Sequence, residues 1–123
     1  MLERMMDRNL EPVVTTAHPS VPCAPPVPNL AGRRVAFVDN SKLNADLFLA
    51  RVSQRLVERF GIVAAPVIRK AAPKDRLAED ELRGISSCAA VIQCFGDCGT
   101  STSMSVADAV EIERRGIDRK SVV

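Results

Sequence analysis

Hydrophobic and polar positions in this chain fall into a repeating order. Val35, Ala36, Phe37 and Val38 form a short apolar run that ends in Asp39, Asn40, Ser41 and Lys42, the pattern of a strand whose C-terminal end carries polar groups. From about Asn44 to Phe60, apolar residues recur at helical spacing. Ala45, Leu49, Val52, Leu56 and Phe60 make one stripe, Arg51, Gln54, Arg55 and Glu58 lie opposite, and Gly61 follows as a stop. Ile62 to Ile68 reads as a second strand, and the proline within it, Pro66, demands an edge position or a bulge. A loop over Arg69 to Lys74 leads to a helix expected from Asp75 to about Ile85, burying Ala78, Leu82 and Ile85.

The third strand is the most apolar. Ala89 to Phe95 shows almost no alternation, which is expected of a central parallel strand covered on both faces. Gly96 and Gly99 bracket Asp97 and Cys98, so the loop is expected to turn sharply. An amphipathic helix comes next and ends near Gly116. Its start is placed among Thr100, Ser101, Thr102, Ser103 and Ser105, with Ser105 to Asp108 resembling a capping box. Ile117 to Lys120 reads as a turn, and Ser121, Val122 and Val123 as the first residues of a fourth strand.

Strand and helix alternating in this way imply an α/β fold: three layers around an open, mainly parallel sheet, Rossmann-like or flavodoxin-like. The sequence stops as the fourth strand begins, so the expectation is a fold truncated there, or a sheet completed by a second copy or a partner chain. Residues 1–32 carry Pro12, Pro19, Pro22, Pro25, Pro26 and Pro28 and read as an extended, proline-rich arm, with a short helix over Met1 to Leu10; residues 33–123 form the α/β domain.

Composition narrows the function classes. The 123 residues hold 17 basic and 15 acidic side chains, interspersed, with no Trp or Tyr and four Phe, which excludes a basic, aromatic nucleic-acid surface. No apolar run approaches the ~20 residues of a membrane span, and the N-terminus lacks a signal-peptide core. A cytoplasmic location follows, with small-molecule or thiol substrates as partners and neither nucleic acid nor membrane. Cys23, Cys88, Cys94 and Cys98 occupy unlike contexts rather than a disulfide framework and are expected to be reduced. His18 and Cys23 supply too few ligands for a metal site, and no metal or cofactor is assigned.

The ends of strands one and three would meet if those strands were neighbours, since an open α/β sheet places its site at the carboxyl ends of strands, at a switch in strand order. Cys98, Asp97 and Asp39 are then the candidate catalytic residues. Asn40, Ser41, Lys42, Asn44, Gly99, Thr100, Ser101 and Thr102 are the candidate substrate- or anion-binding set. Free N–H groups and the positive end of a helix dipole favour a bound anion or a thiolate, so Cys98 is expected to titrate below an ordinary thiol. The bland readings are that Cys94 is a small core residue, Cys88 a filler, Glu111 and Glu113 solvated helix positions, and the Asp39-Asn40 pair turn chemistry.

Two runs carry a family resemblance. Val38 to Asp46 (VDNSKLNAD), followed by Gly96 to Ser103 (GDCGTSTS) and Asp108 to Ile117 (DAVEIERRGI), resembles the UGSC-motif (seleno)protein family, named for a selenocysteine or cysteine followed by Gly-Ser-Cys at the start of a helix. The likeness covers about residues 30 to 123. It matches Cys98 to the selenocysteine or cysteine position and Gly99 to the glycine, so this chain is similar to a cysteine-containing member. Thr100 stands where the family has Ser, and Ser101 where it has the second cysteine. A dithiol pair implied by the family motif is therefore broken here, since Ser101 cannot resolve a mixed disulfide. The resemblance also implies further strands after Val123, and with them self-association of a chain that lacks them. Three readings remain open: a thiol-dependent enzyme, redox or nucleophilic, built on Cys98; a small-anion-binding domain; and a structural or interaction module. With His18 as the only histidine, activation of Cys98 would be electrostatic rather than through a Cys-His pair.

Overall fold

The computed structural model describes residues 22–122. Met1 to Leu10, and His18 with the first part of the proline-rich segment, lie outside the described residues. The elements are β1 (Arg34–Asp39), α1 (Ala45–Phe60), β2 (Val63–Arg69), α2 (Glu79–Ile85), β3 (Ala90–Cys94), α3 (Gly99–Arg114) and β4 (Asp118–Val122). Every strand pairing is parallel, in the order β2-β1-β3-β4. This is an open α/β sheet, with β1 and β3 side by side.

Alternation along the strands sorts the core into two layers. Val35, Phe37, Ala90 and Cys94 point to one face and bury against Ala45 and Leu49 of α1. On the other face Ala36, Val38 and Val91 pack with Leu82 and Ile85 of α2 and Ile112 of α3. Burial of side chains the size of Phe37 or Leu49 contributes about 1.5–3 kcal/mol each, so the two clusters hold the sheet between its helices. Pro66 is accommodated as its chemistry requires. β2 is an edge strand, and between Val35/Ala64 and Phe37/Val67 its register slips by one residue, a bulge at Ala65-Pro66.

Several boundaries differ from expectation, each for a visible reason. α2 begins at Glu79 rather than Asp75, because the Leu77 N–H is drawn to Asp108 Oδ1 at 3.1 Å instead of starting a helix; Leu77, not Ala78, is the buried residue. β4 begins at Asp118, where a turn is expected, because the chain pairs with β3 as soon as it leaves Gly116, whose φ of +79° sets the reversal. Phe60 closes α1 half exposed rather than buried. The proline-rich segment from Pro22 to Gly32 has neither helix nor strand, yet it is no free arm. Ala24 is buried and donates its N–H to Glu113 Oε2 at 2.5 Å, Val27 donates to Asp118 Oδ2 at 3.1 Å, and Val27 and Leu30 pack on the α1-side core. Glu113 is thereby an anchor for this segment rather than a solvated position. Among the described residues, no helix is long and apolar enough to cross a membrane.

Candidate functional site

At the carboxyl end of the sheet, Asp39 pairs in register with Cys94, and the Asn40 N–H donates to the Cys94 carbonyl at 2.8 Å. This bond holds the loops after β1 and β3 against each other, so their polar runs share one crevice mouth. Each loop then turns by a different device. After β1, Asp39 Oδ1 accepts the Ser41 N–H at 2.7 Å, and Ser41 and Asn44 both take left-handed φ angles, 62° and 65°. After β3, Gly96 is needed for space: a Cβ there would lie 2.8 Å from Thr102 Oγ1 and 3.2 Å from Thr102 Cα. Neither Gly96 nor Gly99 has a positive φ; Gly96 is required by its closeness to Thr102, and a Cβ on Gly99 would meet open space.

Cys98 itself is the N-cap of α3. Its Sγ accepts the Ser101 N–H at 3.4 Å, and its own N–H donates to Ser101 Oγ at 3.4 Å. The two residues form a reciprocal cap, which starts the helix at Gly99, more than a turn before the box expected at Ser105. Ser101 is 1% exposed, and its Oγ lies 3.1 Å from Cys98 Sγ. Lys42 reaches across from the first loop, with Nζ 2.7 Å from Asp97 Oδ1 and 3.7 Å from Cys98 Sγ. A thiol, a serine hydroxyl, an ammonium and a carboxylate thus meet at one helix entry.

The charges follow from these contacts. Hydrogen bonding from the Ser101 hydroxyl, then from the Ser101 N–H, lowers the Cys98 pKa below its ordinary value, and the Lys42 charge and the Thr100 backbone add to the effect. Bonding to Asp97 raises the pKa of Lys42, and the same bond lowers that of Asp97. Lys42 therefore stays cationic wherever Cys98 ionises. Cys94 is the opposite case: burial, then the nearby Asp39 charge, pushes its thiol up to about 12. Its Sγ lies 3.8 Å from the Ala45 carbonyl, on the α1 side of the sheet, and the peptide bond that follows it is cis.

The residues singled out from the sequence separate into two groups. Cys98, Asp97, Lys42 and Ser101 touch one another, with Gly99 and Thr100 in the first turn of α3 and Thr102 packed against Gly96. Asp39 is buried and, among the described residues, makes its side-chain contacts with Ser41 and Arg69, the latter at 3.7 Å, not with Cys98. Asn40 is also buried and acts as a clamp, donating from Nδ2 to the Phe95 carbonyl at 2.6 Å and to Ser105 Oγ at 2.7 Å. Ser41 and Asn44 lie beside Lys42 along a shallow crevice that Asp46, Leu47 and Arg69 complete.

From the sequence, Arg69 and Lys70 read only as loop residues and Asp108 only as a capping acid and part of the family-like run, with no place at the site. Lys70 Nζ donates to Asp108 Oδ2 at 2.9 Å and Arg76 Nε to Asp108 Oδ1 at 2.6 Å, while the Lys70 and Asp108 side chains are 1% and 2% exposed. The available signal was the helical spacing of Ser101, Ser105, Asp108 and Ile112, a stripe that mixes polar groups into the inward face. Among the described residues, no three His, Cys, Asp or Glu side chains cluster as metal ligands would.

Residues 8–123 fit the model of the UGSC family. No curated protein and no solved structure matches the chain.

Proposed function

We propose, from the premise that this chain belongs to the UGSC family, that it is a thiol-dependent enzyme in which Cys98 acts as the nucleophile. The observation that carries the proposal is the meeting of Cys98 with Lys42 at 3.7 Å and Ser101 at 3.1 Å on a helix N-terminus. Such an environment favours thiolate over thiol without a histidine base. Ser101 donates to the thiolate, Lys42 balances its charge, and Asp97 holds Lys42 in place. Asp39 shapes the turn that presents Lys42.

With a disulfide substrate, the Cys98 thiolate attacks one sulfur, a bond forms between them, and the original S–S bond breaks to release a thiolate. A second thiol then attacks the mixed disulfide and frees Cys98. Ser101 has no sulfur with which to do this, and Cys94 is buried on the α1 side with its thiol pushed up to about 12, so the second thiol is an external one. A reducing cytoplasm is the compartment this chemistry assumes.

The test uses bis(2-hydroxyethyl) disulfide as probe and mass mapping of the adduct. The expected result is a mixed disulfide on Cys98 that forms at neutral pH and is lost in Cys98→Ser; modification that ignores Cys98 would overturn the proposal. A second reading, anion binding, draws on the crevice that Lys42 and Arg69 share with Ser41 and Asn44. It predicts that Cys98→Ser binds a small carboxylate such as acetate as well as the parent does, with no covalent chemistry in either.

A further inference from the structure

We propose that the buried Lys70–Asp108 ion pair is a positioning device for the thiol site, fixing the Lys42 loop against the N-terminal half of α3. The inference rests on the reading of Cys98 as the reacting thiol. Lys70 follows β2 directly, and its backbone is stitched to the loop that carries Lys42: its N–H donates to the Asp39 carbonyl at 3.0 Å, and its carbonyl accepts from Ser41 Oγ. Its side chain leaves in the other direction and reaches α3 through Asp108. One residue therefore holds both sides of the site.

Asp108 lies seven residues after Ser101, about two turns along the same helix face. Besides Lys70 it receives Arg76 Nε and the Leu77 N–H, so both carboxylate oxygens are occupied. Between Ser101 and Asp108, Ser105 is held on the same stripe, its Oγ accepting from Asn40 and its carbonyl from Gln93 Nε2 at 2.9 Å. These bonds fix the azimuth of α3, and the azimuth determines where Cys98 Sγ sits relative to Lys42 Nζ.

A buried ion pair is a poor source of stability. Two charges must leave water, and apolar side chains of similar volume often hold a core as well or better. What an apolar pair lacks is direction. A charge-assisted hydrogen bond at 2.9 Å tolerates little rotation of the helix, whereas methyl groups slide. Separation of Lys42 from Cys98 matters because the ammonium acts by proximity. The charged groups facing Cys98 are Lys42 and Asp97; those facing the pair are Arg76 and, through the β1 turn, Asp39 with Arg69.

The experiment measures the pH profile of Cys98 alkylation by iodoacetamide, with peptide mapping, in the full chain and in the double variant Lys70→Met/Asp108→Leu. The apolar pair is expected to preserve folding, read by thermal unfolding, while the alkylation midpoint moves up toward that of an ordinary thiol and the rate at pH 7 falls roughly threefold or more. A folded double variant with the parent midpoint overturns the inference, because a purely structural role changes the melting temperature alone. Should the double variant not fold, Ser41→Gly serves instead: it cuts the Ser41–Lys70 tether while suiting the left-handed φ. A smaller upward move is expected there, and an unchanged midpoint is the overturning result. An ordinary midpoint in the parent chain would instead sink the thiolate reading itself, before any variant is compared.

Discussion

Cys94 and Cys98 stand four residues apart, one closing β3 and the other capping α3, and the chain gives them opposite chemistry. Cys94 faces the α1 side of the sheet among Phe37, Ala45 and Leu49, 2% exposed, with its thiol pushed up to about 12. Cys98 is exposed, accepts the N–H of Ser101, and is lowered by that residue's hydroxyl and backbone and by Lys42. The difference does not lie in residue type or in distance along the chain. It lies in the surroundings: burial, then the Asp39 charge, raises Cys94, whereas the Ser101 hydroxyl and then its N–H, with Lys42, lower Cys98. β3 pairs with β1 on one side and β4 on the other, which buries Cys94, while Cys98 stands at the first turn of α3, where N–H groups not used within the helix can reach its sulfur.

The largest expected effect is a contrast in reactivity. With Cys94 near 12 and Cys98 below the ordinary 9.0, thiolate fractions at pH 7 differ by at least about three orders of magnitude, and mapped alkylation of the native protein should show it. Comparable labelling of the two would break the comparison. Next, Ser101→Ala removes the main cause of the lowered Cys98 pKa and leaves the helix face packed; alkylation at pH 7 should slow roughly threefold to tenfold, followed by stopped assays at matched pH. Lys42→Met should act in the same direction with a smaller effect.

Stability sharpens the contrast further. Gly96→Ala sets a Cβ 3.2 Å from the Thr102 backbone, so a loss of about 1–3 kcal/mol in denaturant unfolding is expected. Cys94→Ala removes a buried sulfur and should cost on the order of 1 kcal/mol. Cys98→Ser keeps an N-cap and should leave the unfolding midpoint unmoved while abolishing reactivity. The pH dependence carries opposite signs. Cys98 has a depressed folded pKa, so its stabilising contribution is complete above the unfolded thiol value and fades as pH falls through the folded one. Cys94 has a raised one, so its contribution is present below the unfolded value and is lost as pH rises toward about 12.

Much of this was legible in the sequence. The unalternating run from Ala89 to Phe95 identified a central strand, Pro66 an edge position or a bulge (the structure has both), and Gly61 the end of α1, because each of these signals is local. Cys98 stood out for the same reason: a thiol between two glycines before a helix. What was hidden depended on partners distant in sequence. Asp108 looked like a capping acid until Lys70, 38 residues away, drew it into the core; with that the expected cap at Ser105 moved back to Cys98. The docking of Ala24 and Val27 on Glu113 and Asp118 spans about 90 residues of chain, and proline content alone reads only as extended backbone. Arg69 joined the crevice because β2 ends beside β1, a matter of strand order.

The most direct test is alkylation of the native chain by iodoacetamide from pH 5 to 10, resolved residue by residue. The account predicts that Cys98 reacts first, with a midpoint below the ordinary thiol value, while Cys94 shows no titration in that range. A Cys98 midpoint at or above the ordinary value, or equal rates at Cys94 and Cys98, would contradict it.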